Sequence, residues 1–581
     1  MANWRPTDSA SQQQTAAPSP APNLFGAYKP WFLTLVLVIA TFIVYLPVWH
    51  AGFIWDDNVL ITENRMIQAD NGLYRFWCTT EAQDYWPLTS SAWWLEWRLW
   101  GNNPLGYHVL NVALQAVNAL LVWMILQRLK IPGAWWVGLI FAIHPVSVAT
   151  VAWISEQKNT LSMLLCLVTV LLYLNFDEQP RPRGRGWYGW SLAAFLLALL
   201  SKGAVAMLPV VLLGCVWWTR RRIRWGDILS TAPFFSLSLV LGLVTIWFQY
   251  HRAIQGQVVR TAGFLSRLAD AGWIPWFYLY KDLLPVNLTL IYPRWTLEDQ
   301  GWISFAPGLA LVACFAVFWW KRGTWGRPLL FGLGYFIVML FPVLGFFNQV
   351  FSQFSLVADH WQYYSIIGVI ALAVAGVWGL CHRLSGPNRY LVRAAAVAVI
   401  AVLAVAAWKR ASIYANQVDL WQDNIAKYPG VWFAHNNLGA VFMIESRFDD
   451  AIQQFNTALQ INPDAAVAHY NLGGTFRRMG RPQDAIGQYE QALRTQPGYF
   501  DAHNNLGVTL GQMGDLTNAI SHLEEAVRVK PDSAEAHGNL GVALELSGNV
   551  PQAMEQYKHA LRIDPNLAVA RDRLARLQAL Q

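Results

Sequence analysis

From residue 31 to about residue 408 the chain alternates apolar runs with short polar connections. The runs fall at 31–50, 108–127, 134–150, 159–175, a short one ending at "LLSKG", one ending at "TRRRIR", then 228–248, 302–320, 328–346, 364–381 and 391–408. A helix crossing the hydrocarbon core of a bilayer needs roughly 17–25 mostly apolar residues, so the pattern predicts about eleven spans. Basic residues sort to alternate connections: Arg5 and Lys29 before the first run, "QRLK" after the second, "RPRGRG" after the fourth and "TRRRIR" after the sixth. Because basic loops stay on the cytoplasmic side, the N-terminus is expected there and the segment after the first run outside. The stretch "AGWIPWFYLYKDLLPVNLTLIYP", within 250–300, is long enough to cross once more. A crossing there would carry "KRGTWGR" and "CHRLSGPNRYLVR" outside against the charge rule, so it is read as an interfacial, aromatic-rich helix and re-entrant loop. The C-terminal region then lies outside.

Beyond residue 432 the pattern changes to a repeat. "HNNLG" at 435, "HYNLG" at 469, "HNNLG" at 503 and "HGNLG" at 537 recur every 34 residues, as do Pro463, Pro497, Pro531 and Pro565. In the first unit Leu438, Gly439, Phe442, Ala451, Phe455, Ala458 and Pro463 follow the tetratricopeptide pattern of paired helices. Gly439 and Ala451 are small where two antiparallel helices cross closely, and Phe442 and Phe455 fill the groove between them. Four such units bury a continuous core, and "LAVARDRLARLQAL" supplies an amphipathic capping helix.

Composition agrees: 55% of the 581 residues are hydrophobic and 13% charged, too apolar a balance for a wholly water-soluble chain. The 32 Trp and 21 Tyr suit side chains anchored at water–lipid interfaces. The net charge of +7 is spent on loop orientation and forms no nucleic-acid patch. Cys78, Cys166, Cys215, Cys314 and Cys381 lack metal-ligand or disulfide spacing. Residues 1–28, rich in Ser, Gln, Ala and Pro, read as a disordered tail, and the first run as an uncleaved signal anchor. The expected division is the tail, a membrane domain over 29–410, a linker helix over 411–431, and the repeats with their cap over 432–581. The fold class is all-α: a polytopic membrane domain followed by an α-solenoid.

Ionisable residues collect on the connections expected outside. Asp56 and Asp57 leave the first run; His144, Glu156, Lys158 and Asn159 follow the third; Lys202 ends the fifth; Asp359 and His360 follow the ninth. Each has a plain structural reading, as a residue marking the water interface, a snorkelling lysine or a helix-end cap. Together on one side of a membrane domain they suggest a shared cavity, because charge at membrane depth is retained for function.

These residues carry a resemblance. "GFIWDDNVLITEN", "HPVSVATVAWISEQKNTLSMLL", "LLSKGAVAMLPVVLL", "LLPVNLTLIYP" and "FPVLG…ADHWQYYSIIG" resemble successive motifs of bacterial repeat-bearing membrane proteins. Those are similar to the eukaryotic transmembrane and tetratricopeptide-containing O-mannosyltransferases. The resemblance implies a GT-C glycosyltransferase fold, as in the protein O-mannosyltransferases and the aminoarabinose transferase. It also implies a polyprenyl-phosphate sugar donor, membrane lipids around the chain, and an external protein or peptide acceptor. In that family the acid pair is catalytic: Asp56 would be the general base, and Asp57 would orient it or bind the sugar. Two adjacent carboxylates repel, which would raise at least one pKa. Lys158, Lys202 and His360 are candidate cations for the phosphate leaving group, with His144, Glu156 and Asp359 as further donor-binding candidates.

Two departures stand out. The family pattern has an acid where this chain has Ala149, and Arg where it has His360. No cofactor is fixed by the sequence; a divalent metal stays open, and Glu156, seven residues after Ala149, could stand in for the lost acid. Asn437, Asn471, Asn505 and Asn539 recur at one position of every repeat. They resemble the asparagine ladder with which O-GlcNAc transferase holds peptide backbones, which implies acceptor binding; the alternative is a packing hydrogen bond. The expected protein is a multi-pass inner-membrane hexosyltransferase, mannose-like and inverting, with its repeats periplasmic or extracellular. A glycan or lipid acceptor, or a non-catalytic repeat scaffold, remain alternatives.

Overall fold

The computed structural model describes residues 30–179, 184–254, 259–260, 262–295 and 298–580; the expected tail and part of "RPRGRG" lie outside them. Every regular element among the described residues is helical. Among the described residues eight helices are long and apolar enough to cross a membrane, and a bent pair makes a ninth candidate. All eleven expected runs fall on helices, but two lie outside these candidates: Pro30–Val44, with 15 residues, and Arg185–Ser201, with 17. The stretch expected to be interfacial begins on the helix Phe264–Leu283, which bears Asp270, Lys281 and Asp282 and is not among the eight. Exposed Leu239, Val240 and Leu243 on one span, and Val397, Val399 and Val402 on another, make surfaces suited to lipid rather than water.

The bent pair sets the site. Ala134–Ile143 and Pro145–Val151 meet at 48°, because Pro145 has no N–H to offer the Phe141 carbonyl one turn back. In hydrocarbon an unpaired carbonyl costs several kcal/mol, so the bend needs other donors. They come from a polar stripe on the Pro104–Arg128 helix, at helical spacing. Gln115 Nε2 donates to the Phe141 carbonyl (3.0 Å), Asn111 Nδ2 to those of Val151 (2.9 Å) and Thr150 (3.2 Å), and Asn118 Nδ2 to that of Thr160 (2.9 Å). The connection 152–156 is thereby fixed at the head of the Gln157–Glu178 helix.

Beyond the last apolar helix, Gly386–Ile413, comes Gln417–Lys427, then four helix pairs from Trp432 to Ile563 and a final helix, Ala568–Ala579. Within each pair the recurring glycine marks the crossing. A Cβ on Gly439 would sit 2.8 Å from the Phe455 ring, on Gly473 2.8 Å from Tyr489, and on Gly507 and Gly541 2.6 Å from Leu523 and Tyr557. The array is docked rather than tethered. Gln417 Nε2 donates to the Phe53 carbonyl (3.2 Å), Asn424 pairs with both backbone groups of Ile291 (2.9 and 3.1 Å), and Phe433 stacks on Phe354 (3.8 Å). At its far end Asp564 meets Arg65 at 3.7 Å.

Candidate active site

Asp57 is fully buried and belongs to the backbone around it. Its Oδ2 accepts from the Ile54 amide (2.9 Å) and its Oδ1 from the Ser155 amide (2.7 Å), which ties the first external loop to the connection after the bent pair. Asp56 instead lines a cavity of about 570 Å³. Both carboxyls rise, Asp56 to about 6 and Asp57 to about 7. The expected rise is present, but its main cause is burial rather than mutual repulsion. Lys158 opposes the shift at Asp56 and Glu156 adds to it, while at Asp57 the two backbone bonds oppose it and Asp56 contributes least.

Across the cavity Glu156 gathers the other charges. Lys158 Nζ lies 2.9 Å from its Oε1 and Lys202 Nζ 3.5 Å from its Oε2; Asn159 donates to it, and His360 Nε2 stands 4.0 Å away. Burial draws the Lys202 ammonium down to about 8, with Glu156 opposing, so it is cationic at neutral pH. Burial also holds the His360 imidazole at about 4. His360 is therefore a neutral hydrogen-bonding group, and the positive charges are the two lysines. Trp55, Trp86, Trp153 and Trp361 supply aromatic walls, with Lys158 Nζ 4.9 Å above the Trp86 ring.

Of the expected residues, Asp56, Glu156, Lys158, Lys202 and His360 share the cavity; Asp57, His144 and Asp359 do not line it. His144 caps the turn after the bend through Val146 N (3.3 Å) and faces the Asp282 carbonyl (3.2 Å). Asp359 accepts from Tyr292 Oη (2.7 Å). Ala149 is buried at 2% exposure in the short helix Val148–Val151, away from the cavity, whereas Glu156 lines it. Sequence reasoning missed Asp84, a cavity acid that accepts from Gln249 and is raised to about 6, chiefly by burial. Nothing in "TTEAQDYWP" separates it from its polar neighbours. Among the described residues no group of three or more His, Cys, Asp or Glu is arranged to hold a metal ion.

A second cavity of about 410 Å³, lined almost wholly by apolar side chains, follows on in the bundle. Met207, Tyr364 and Phe341 line the first; Leu208, Ile367 and Met339, within three residues of them along the same segments, line the second. In the repeats the asparagine position is engaged in packing. Asn471 Nδ2 donates to Asn436 Oδ1 (3.0 Å), Asn505 Nδ2 to Tyr470 Oη (2.9 Å) and Asn539 Nδ2 to Asn504 Oδ1 (3.0 Å), each in the preceding repeat. Asn437, with no repeat before it, donates to its own helix at Phe433 O (2.7 Å).

Residues 433–497 and 506–568 match the tetratricopeptide repeat family. Along most of its length the chain is similar to a protein O-mannosyl-transferase of Caenorhabditis elegans, 22% identical over 454 residues, 74% of this chain and 62% of that one. It is also similar to the protein O-mannosyl-transferase TMTC2 of Mus musculus, 29% identical over 222 residues, 35% of this chain and 26% of that one. The matched parts thus span from about a quarter to under two thirds of these relatives. Among solved structures, the crystal structure of MamA matches 26% of this chain and 88% of its own, with a TM-score of 0.25 at 25% identity. The chain is a membrane protein with tetratricopeptide repeats, similar to the protein O-mannosyl-transferases.

Proposed function

We propose that the protein is a membrane O-mannosyltransferase that moves a mannose-like hexose from a polyprenyl-phosphate donor to a hydroxyl of a protein acceptor. The observation that carries the reading is the pairing of Asp56 with Lys158 and Lys202 across one cavity. Asp56 takes the proton of the acceptor hydroxyl as its oxygen bonds to the anomeric carbon. The bond from that carbon to the donor phosphate breaks, the configuration inverts, and the polyprenyl phosphate departs against the two ammonium groups. The adjoining apolar cavity supports a lipid-linked donor, since it offers hydrocarbon a place beyond the charged one. Asp57 keeps Asp56 in place through its two amide bonds, and Asp84 and His360 offer hydrogen bonds to sugar hydroxyls. The repeats would hold the acceptor, with the asparagine Oδ1 atoms available to peptide N–H groups while Nδ2 serves packing. The basic-loop pattern supports an inner-membrane protein with its N-terminus cytoplasmic and its repeats on the other side.

The test is transfer in lipid nanodiscs from mannosyl-phosphoryl polyprenol to a serine- and threonine-rich peptide, followed by intact mass. A hexose gained with wild type and lost with Asp56→Asn supports the reading. Transfer that survives Asp56→Asn removes Asp56 as the base, and transfer to glycan or lipid but never to peptide removes the protein acceptor.

A further inference from the structure

We propose that the repeat array completes the active site: Phe433, on its first helix, is a positioning residue that holds Asp56 by clamping Trp55. The inference rests on the reading of Asp56 as the base.

Trp55 immediately precedes Asp56 and has a φ of +44°, in the left-handed region that bulky residues rarely adopt. Such a conformation persists only where the surroundings over-determine it. Four rings do so. Trp153 stacks on Trp55 at 5.4 Å and 16°, and Phe351, Trp421 and Phe433 close around it at 6.2, 5.6 and 5.8 Å. Two of the four, Trp421 and Phe433, lie beyond the last apolar helix, on Gln417–Lys427 and on the first helix of the repeats. Phe433 also stacks on Phe354, a wall of the same cavity, at 3.8 Å and 26°.

Asp56 therefore sits between two restraints. On its C-terminal side Asp57 is pinned by amides from the membrane part, and on its N-terminal side Trp55 is pinned by four rings, one from the first repeat helix and one from the helix before it. Phe433 is buried at 7% exposure and is spent on this contact, so its role differs from holding an acceptor. An acceptor too short to reach the repeats still depends on it.

The experiment uses the full chain and two readouts. With a short hydroxyl peptide, Phe433→Ala is expected to lower kcat at least tenfold while KM moves less than twofold, and Phe433→Tyr, which keeps the ring, restores kcat. Leu506→Ala, which disturbs the third repeat far from Trp55, leaves kcat within twofold. The second readout needs no transfer. In a Cys78→Ser background, maleimide labelling of Asp56→Cys is expected to quicken at least fivefold when Phe433→Ala is added, and not when Leu506→Ala is added. Labelling unchanged by Phe433→Ala, or quickened equally by Leu506→Ala, overturns the proposal. If the wild type transfers no sugar, the reading of the base fails, and the labelling still decides whether Phe433 controls the position.

Discussion

Asp56 and Asp57 adjoin in the chain, yet one lines the cavity and the other is consumed by backbone amides. Their difference sets a pH dependence. On the proposed mechanism transfer needs Asp56 ionised, which holds above about 6, and Lys202 protonated, which holds below about 8. The expected profile of kcat/KM is a bell that rises through the first value and falls through the second. Lys202→Arg keeps its charge at high pH and should abolish the falling limb, whereas Asp84→Asn should leave the rising limb in place. A falling limb unmoved by Lys202→Arg would assign it to another group. The acid pair was legible because it follows an apolar run directly. Asp57's grip on Ser155, 98 residues away, was not, since no local pattern encodes a backbone partner so distant.

At the scale of helices, the repeats differ from one another where their consensus slips. The turn between paired helices needs a left-handed residue, and Gly480, Gly514 and Gly548 supply it with φ of 75°, 87° and 85°. The first repeat has Ser446 there, at 61°. Removing its Cβ relieves a strain of about 1–2 kcal/mol against a smaller entropic loss, so Ser446→Gly is expected to stabilise the array by roughly 0.5–1 kcal/mol. Denaturant unfolding of the full chain checks this, and an unchanged midpoint refutes it. A second slip concerns the recurring histidine, whose Nδ1 meets Gln454, Gln488 and Gln556 in the first, second and fourth repeats but His522 in the third, at 3.0 Å from His503 Nδ1. Burial, then His503, lower the pKa of His522 below its ordinary value. The unfolded chain thus binds the extra proton more readily, and stability present above about pH 6.5 is lost as pH falls. His522→Gln should flatten the decline of melting temperature between pH 7 and 5; an equally steep decline would place its cause elsewhere. The helix pairs were legible from their 34-residue period. The polar stripe of Asn111, Gln115 and Asn118 went unread in the sequence, because its purpose depends on a proline some thirty residues later.

The molecule as a whole is where the sequence was least informative. Apolar runs locate helices, yet Pro30–Val44 has only 15 residues, about 23 Å of rise against a core of about 30 Å. Run length alone does not separate such a helix from a full crossing. Nor does any local pattern announce that the repeats pack on the first external loop, because Trp55 and Phe433 are 378 positions apart. The same loop is touched twice: Trp55 by the first repeat helix and Arg65, ten residues on, by Asp564 just after the last pair. Array and loop therefore close a ring. In the Arg65–Asp564 pair Arg65 is exposed and Asp564 half-buried, and such a surface pair contributes about 0–1 kcal/mol, so the ring opens readily. A closed ring of this kind is expected to favour an extended strand over a compact folded body as acceptor. Under the proposed function the expected consequence is one of timing: a polypeptide receives sugar before it folds, in competition with its own folding. An acceptor domain offered unfolded should be modified many-fold faster than the same domain offered native, even where the hydroxyl is exposed in both. Equal rates by intact mass would mean that the ring is no barrier.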